Sequence, residues 1–243
     1  MMAKKFSSLK LTALLFGFLV LVFGLFPNAG ISKKSGKAAE ELYSENYVHR
    51  ICTKFSEACA NISEDVFALA IKGFSKLHAQ KKLSEDSILS IIDFTKSSKE
   101  KRMYVIDLKS QTLKYQTVVA HGKNTGEEYA KYFSNQPRSH KSSLGFYITG
   151  STYNGNNGYS LKLKGVEKGF NDHAESRAIV VHGAVYAEEW MSNVQHFLGR
   201  SFGCPALPMS AHQKIIETIK GGNCLFIYFP DQKYLSNSPL LNG

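Results

Sequence analysis

The run GRSFGCPALP, Gly199 to Pro208, sets a cysteine between a glycine and a proline. Proline lacks a backbone donor and fixes its φ, so Pro205 and Pro208 exclude a helix interior or a central strand here. Gly203 permits backbone angles closed to other residues. Cys204 therefore reads as part of a shaped loop, where a nucleophile is displayed. A packing thiol more often sits inside an apolar periodic element.

A cysteine nucleophile needs its thiolate, and an ordinary thiol is mostly protonated at neutral pH. The nearest candidate base upstream is His182, at the end of the apolar run AIVVHG. A strand end delivers a side chain to a fixed place, and Gly183 lets the backbone turn beyond it. Gly203 next to Cys204 allows two successive backbone N–H groups to converge on one oxygen. Each donor of such an oxyanion hole contributes roughly 3–4 kcal/mol. On the residues alone two readings stand: a Cys–His acyl-transfer site, or a structural histidine with a buried thiol.

The bulk properties suit an exported, mostly globular chain. It has 243 residues, 43% hydrophobic and 21% charged, enough for one sizeable domain and an appendage. Lys4, Lys5 and Lys10 flank a charge-free run from Leu11 to Phe26 that Pro27 ends. A helix of that length spans about 24 Å, shorter than a comfortable membrane crossing. Residues 1–29 read as a signal peptide, with Ala29 at the cleavage point, or as an uncleaved membrane anchor. The formal net charge of +10 falls by three when they are removed, which suits an anionic surface such as a cell wall or phospholipid headgroups. Zinc-finger spacing, a phosphate-binding loop and basic–aromatic interleaving are missing from the sequence, so nucleic acid is a poor partner. Cys52 and Cys59 would lie roughly 10 Å apart along a continuous helix, too far to bridge. Cys224, within CLFIYF, reads as a buried core thiol and Cys204 as a free one.

Residues 30–37 form a Ser/Gly/Lys linker, and residues 38–99 read as a helical extension. Ser63 caps a helix with Glu64 and Asp65 in its first turn, and Val66, Phe67, Ala70, Ile71, Phe74 and Leu77 recur at helical spacing. Ser84 with Glu85 and Asp86 repeats that start signal ahead of Ile88, Leu89, Ile91 and Ile92. Over residues 100–235 the pattern changes to short β-rich runs. MYVIDL and LKYQTVVA flank KSQT. SLGFYITGSTY and YSLKLKGV flank NGNNG, a hairpin signal. AIVVHGAVY and CLFIYFP are further strands. SAHQKIIETIK is a short helix capped by Ser210 and stopped by Gly221-Gly222. Residues 236–243 are a tail. The fold class is mainly β with a helical N-terminal extension.

IVVHGA followed by GRSFGCPALP resembles the murein L,D-transpeptidase catalytic family, the YkuD-like fold. Its Ser/Thr-His-Gly-Cys tetrad is matched at Ser201, Gly203 and Cys204, in the branch reading GRSxGCPA. Three further stretches occur in the order of that branch: Ala120-His121-Gly122, Phe133-Ser134-Asn135 and Ser142 to Tyr147. The resemblance implies a β-sandwich catalytic domain over residues 100–235 that acts on peptidoglycan stem peptides in the periplasm or at the outer face of the membrane. It implies Cys204 as nucleophile and His182 as base in a thiolate–imidazolium pair, oriented by the Gly183 carbonyl. It places the oxyanion at the N–H groups of Gly203 and Cys204, has Ser201 shaping the loop, and needs no cofactor or metal. The reaction implied is 3→3 cross-linking through a thioester. The alternatives are L,D-carboxypeptidase trimming or a non-catalytic wall-binding module. Phe202 stands where the tetrad has histidine, and Ala206 where many members have Arg or Asn. Arg200, His121 and Ser143 are the candidate substrate contacts. His121 reads equally as a strand-end histidine satisfied by backbone, and Ser142 and Ser143 as turn residues. Arg138, His140, Lys141 and Arg177 read as positive charge for peptide carboxylates or, as single residues more often are, as solvated surface, and Trp190 as a helix packing residue rather than a sugar platform. Glu188-Glu189 lacks a partner motif for glycosidase chemistry.

Overall fold

A computed structural model of the chain describes residues 62–83 and 88–242. The export signal, the linker, and Cys52 with Cys59 lie outside them. The first element is helix α1, Glu64–Ala79, which starts where Ser63 Oγ accepts the Val66 N–H. Its buried face is Val66, Phe67, Ala70, Ile71, Phe74 and Leu77. Gly73 lets the helix press on the Phe146 ring, because a Cβ there would lie 2.0 Å from that ring.

Eight strands follow in one sheet. They are β1 (Ile88–Asp93), β2 (Met103–Asp107), β3 (Thr112–Thr117), β4 (Gly145–Gly155), β5 (Gly158–Gly165), β6 (Val180–Ala184), β7 (Ala206–Pro208) and β8 (Cys224–Tyr228), in the spatial order β3-β2-β1-β8-β4-β5-β6-β7. The NGNNG run makes the β4–β5 hairpin, with Gly155 opposite Gly158. The β1–β8 and β6–β7 pairs are parallel and the rest antiparallel. β8 is buried along its whole length, as its unbroken apolar run requires at the middle of a covered sheet. The mainly β architecture is thus present, as a single sheet bent until its edges meet. Just beyond β3, at one edge, Ala120 pairs with Ala206 in β7, at the other. The bonds are Ala120 N–H to Ala206 carbonyl at 2.8 Å and Ala206 N–H to Ala120 carbonyl at 3.3 Å. Closure removes two exposed edges.

Two expectations are corrected. Ile88–Ile92 is not helical. It is strand β1, hydrogen-bonded on both sides within the sheet, and Ser84–Ser87, which suggested a helix start, lie outside the described residues. Ser210 does not cap the helix that follows it. That helix spans His212–Ile219 with no side-chain cap, and Ser210 donates instead to Glu188 through both its N–H and its hydroxyl. Two short helices, Gln232–Asn237 and Pro239–Asn242, end the described chain, joined to β4 through the buried Glu167. Among the described residues no helix is long and apolar enough to cross a membrane.

A buried polar cluster anchors the closing segment. Arg102 is fully buried. Its Nε and Nη2 donate to the Val119 carbonyl at 3.1 and 2.7 Å, and its Nη1 to the Lys96 carbonyl at 2.9 Å. Nη2 also donates to His121 Nδ1 at 2.8 Å, while His121 Nε2–H reaches the Gly126 carbonyl at 3.3 Å. Burial, reinforced by the Arg102 charge, pulls the His121 imidazole down to about 3 from an ordinary 6.5. The unfolded chain therefore takes up this proton first as pH falls. The resulting stability is complete above about pH 6.5 and declines toward pH 3. His121→Gln, which keeps a donor and an acceptor but does not titrate, is expected to flatten the fall in urea-unfolding free energy between pH 6.5 and 5. Parallel slopes for the two proteins would contradict this assignment.

Candidate active site

Cys204 is a free, half-buried thiol. It enters β7 beside β6: its Sγ accepts the Val180 N–H at 3.4 Å and its S–H points to the Ala178 carbonyl at 3.6 Å. In the parallel β6–β7 register His182 lies opposite Ala206. His182 thus stands two residues along β6 from the backbone group that holds the sulfur. Its ring is buried, and Nδ1 lies 3.0 Å from the Gly183 carbonyl. A carbonyl only accepts, so Nδ1 carries the proton and Nε2 keeps its lone pair. His212 supports this arrangement from beneath. A Cβ on Gly183 would lie 2.6 Å from its ring, and its own Nδ1 bonds the Met209 carbonyl.

No hydrogen bond joins the imidazole to Sγ among the described residues. Burial raises the Cys204 thiol, against the opposing pull of the Val180 N–H and Arg177. Burial also lowers His182, against the Gly183 carbonyl, with His212 adding to the depression. Desolvation thus works against charge on both partners of the expected thiolate–imidazolium pair.

The loop itself is stapled from within. Ser201 Oγ donates to the Cys204 carbonyl at 2.6 Å and accepts the Gly203 N–H at 3.0 Å. The Gly203 N–H is thus already engaged and is not free for an oxyanion. The Cys204 N–H has no partner among the described residues. Gly203 has φ +127°, and a Cβ there would meet the Lys141 carbonyl at 2.8 Å.

The three expected substrate contacts are placed elsewhere in the bonding scheme. His121 is sealed between Arg102 and Gly126. Ser143 is buried, donating to the Ser134 carbonyl at 2.8 Å and accepting from Arg177. Arg200 is half-buried, packs over the Phe197 ring and donates to the carbonyls of Lys123 and Gly126. Each has found a protein partner far away in the sequence, which spacing does not reveal.

Arg177, weighed in the sequence as a contact for carboxylates or as solvated surface, is half-buried in a hydrogen-bond network beside the thiol. Its Nη1 donates to the Ser134 carbonyl and Ser143 Oγ, and its Nη2 to Ser139 Oγ and the Lys141 carbonyl. Every one of these acceptors is neutral. A guanidinium so placed, with Nη2 3.3 Å from a Cβ built on Gly203, leaves a positive field at the thiol. Its only sequence signal is its place just before β6, where Ala178 takes φ +52°. Phe202, 65% exposed, has its ring centroid 4.6 Å from that of His140, with Lys123 Nζ over the Phe202 ring at 4.7 Å from its centroid. The rim of the site is aromatic and basic. No group of three or more metal-ligating side chains gathers among the described residues.

The sequence model of YkuD_2, the L,D-transpeptidase catalytic domain, matches residues 58–228. The chain belongs to this family. Among solved structures it is similar to L,D-transpeptidases from Mycobacterium smegmatis (11% identity, 59% of each chain, TM-score 0.37) and Stackebrandtia nassauensis (13% identity, 72% of this chain and 75% of that one, TM-score 0.35). A third is from Xylanimonas cellulosilytica (15% identity, 58% of this chain and 60% of that one, TM-score 0.33). The chain spans 59% of the length of the first of these. No curated protein matches it.

Removing the field of Arg177 should make the thiol harder to ionise. Arg177→Met is expected to slow iodoacetamide alkylation of Cys204 at pH 8 by about tenfold, the lower end for a charge within about 6 Å. Arg177→Lys, which keeps the charge, should restore most of the rate. Peptide mass mapping resolves Cys204 from the other thiols. Equal rates in all three proteins would remove Arg177 from the site.

Proposed function

We propose that the protein is a peptidoglycan L,D-transpeptidase of the GRSxGCPA branch, working outside the cytoplasmic membrane to which its apolar N-terminal run directs it. The observation that carries this reading is the Nδ1–H bond from His182 to the Gly183 carbonyl. It fixes the tautomer with a basic Nε2 on the strand beside a free cysteine.

In this mechanism the donor is a tetrapeptide stem. Its negative charges are drawn by Arg177 and by the rim around Lys123 and Lys141. Nε2 of His182 takes the Cys204 proton as sulfur attacks the carbonyl of the third residue. The oxyanion accepts the Cys204 N–H. The imidazolium returns its proton to the leaving D-alanine amine, and a thioester remains. The side-chain amine of a second stem then attacks, His182 takes its proton, the C–S bond breaks and Cys204 is regenerated with a 3→3 cross-link. Water in place of that amine gives a tripeptide instead.

The test incubates the whole chain, Cys204→Ala and His182→Ala with disaccharide tetrapeptides and reads products by mass. Wild type should give dimers that lack one D-alanine. Cys204→Ala should give none, and His182→Ala a rate lower by about 10²–10⁴. Tripeptide monomers alone would replace the transpeptidase reading with a carboxypeptidase one, and unchanged substrate would overturn both.

A further inference from the structure

A second concavity lies at the far end of β7 from Cys204, with a volume of about 440 Å³. Its walls include Gln116 and Thr117 from β3, Glu189 and Trp190 from the turn after β6, and Pro208 with Ser210. Trp190 is the chain's single tryptophan and is 54% exposed. This overturns its reading as a packing residue. A large indole left in water beside a cavity is uncommon without a ligand to cover it.

The polar groups around it are of a definite kind. Glu188 is committed to Ser210, but Glu189 is exposed and meets only Lys101, at 3.8 Å. Gln116 donates to the Lys101 carbonyl at 3.3 Å and keeps its own amide oxygen free to accept. The wall is therefore an aromatic face flanked by hydrogen-bond acceptors and donors, with acidic rather than basic charge. It repels the carboxylates that the Cys204 rim attracts. A ring with apolar C–H faces and a rim of hydroxyl and amide donors fits it: a sugar.

Position agrees with chemistry. Leu207 enters the main core, so Ala206 and Pro208, on either side of it, face the other way. Ala206 is fully covered by a second buried cluster, so the thiol and the cavity open at opposite ends of β7. Four residues separate Pro208 from Cys204, roughly 13 Å at about 3.3 Å per extended residue. A stem peptide runs three residues from its sugar to the attacked carbonyl, roughly 10 Å on the same rise.

We propose that this cleft is a saccharide-binding subsite, with Trp190 as the stacking platform, that receives the glycan carrying the donor stem. The assignment of the glycan rests on the transpeptidase reading above; that of a saccharide does not. Because Trp190 is the only tryptophan, its fluorescence reports the site directly. Titration of full-length Cys204→Ala with a peptide-free N-acetylglucosamine tetramer should give a saturable change with a half-point near about 1 mM. Glu189→Gln should weaken it. In the active chain, Trp190→Ala should lower the ratio of kcat/KM for glycan-linked stems to that for released tetrapeptide by about tenfold, equivalent to about 1.4 kcal/mol. A flat titration, or a response to a diamino acid in place of the saccharide, overturns the subsite. An unchanged ratio overturns its role with the donor. If wild type turns over neither stem, the transpeptidase reading falls, and the titration alone still decides whether the cleft binds sugar.

Discussion

The pairing of residues 120–123 with residues 201–206 governs the rest of the molecule. Four backbone hydrogen bonds join the segments: the two between Ala120 and Ala206, Ser201 N–H to His121 carbonyl, and Lys123 N–H to Ser201 carbonyl. They close the sheet, and they also grip the Cys204 loop at both ends. Without them β7, three residues long, would hang from β6 alone. The partner strand is in turn held by Arg102, whose bonds to Val119 and His121 come from β2 and its flank. A buried cation surrounded by neutral acceptors is a costly way to hold a segment, and removing any acceptor would leave donors unpaired in the core. Closure and site geometry are therefore one constraint.

The same economy of charge runs through the site. Burial penalises charge on both the sulfur and the imidazole. The uncompensated charge nearby is Arg177, which is also the tie that gathers Ser134, Ser143, Ser139 and Lys141 into one wall. A fixed cation beside a desolvated sulfur and imidazole favours the negative charge that the reaction generates, which is the condition for stabilising a transition state more than a ground state.

Much of this was legible in the sequence. The NGNNG hairpin, the strand carrying His182, the Ser63 cap and the shaped loop around Cys204 are local features, set by turn chemistry and periodicity, although His182 lies mid-strand in β6 rather than at its end. Ile88–Ile92 was not legible as a strand, because a short apolar run fits a buried strand and a buried helix equally, and Ser84-Glu85-Asp86 tipped the reading. Arg200, His121 and Ser143 stand in the expected motifs, but their partners lie 5 to 77 residues away, which spacing cannot reveal. Arg177 and Trp190 carried no motif. One is revealed by the neutral acceptors that surround it, the other by what fails to cover it.

The glycines explain why the loop can be trusted to hold its shape. A Cβ on Gly122 would lie 2.5 Å from the His140 carbonyl and 3.0 Å from Gly203 Cα. One on Gly203 would strike the Lys141 carbonyl. Three segments therefore meet backbone to backbone, and Ser142 threads them: its Oγ accepts the Gly122 N–H at 3.1 Å and donates to the Gly203 carbonyl at 3.2 Å. With no side chain between them and each polar group committed, the segments shift together or not at all. That rigidity fixes the direction of the Cys204 N–H. It is also why serine and glycine, rather than larger residues, recur wherever the chain approaches the sulfur.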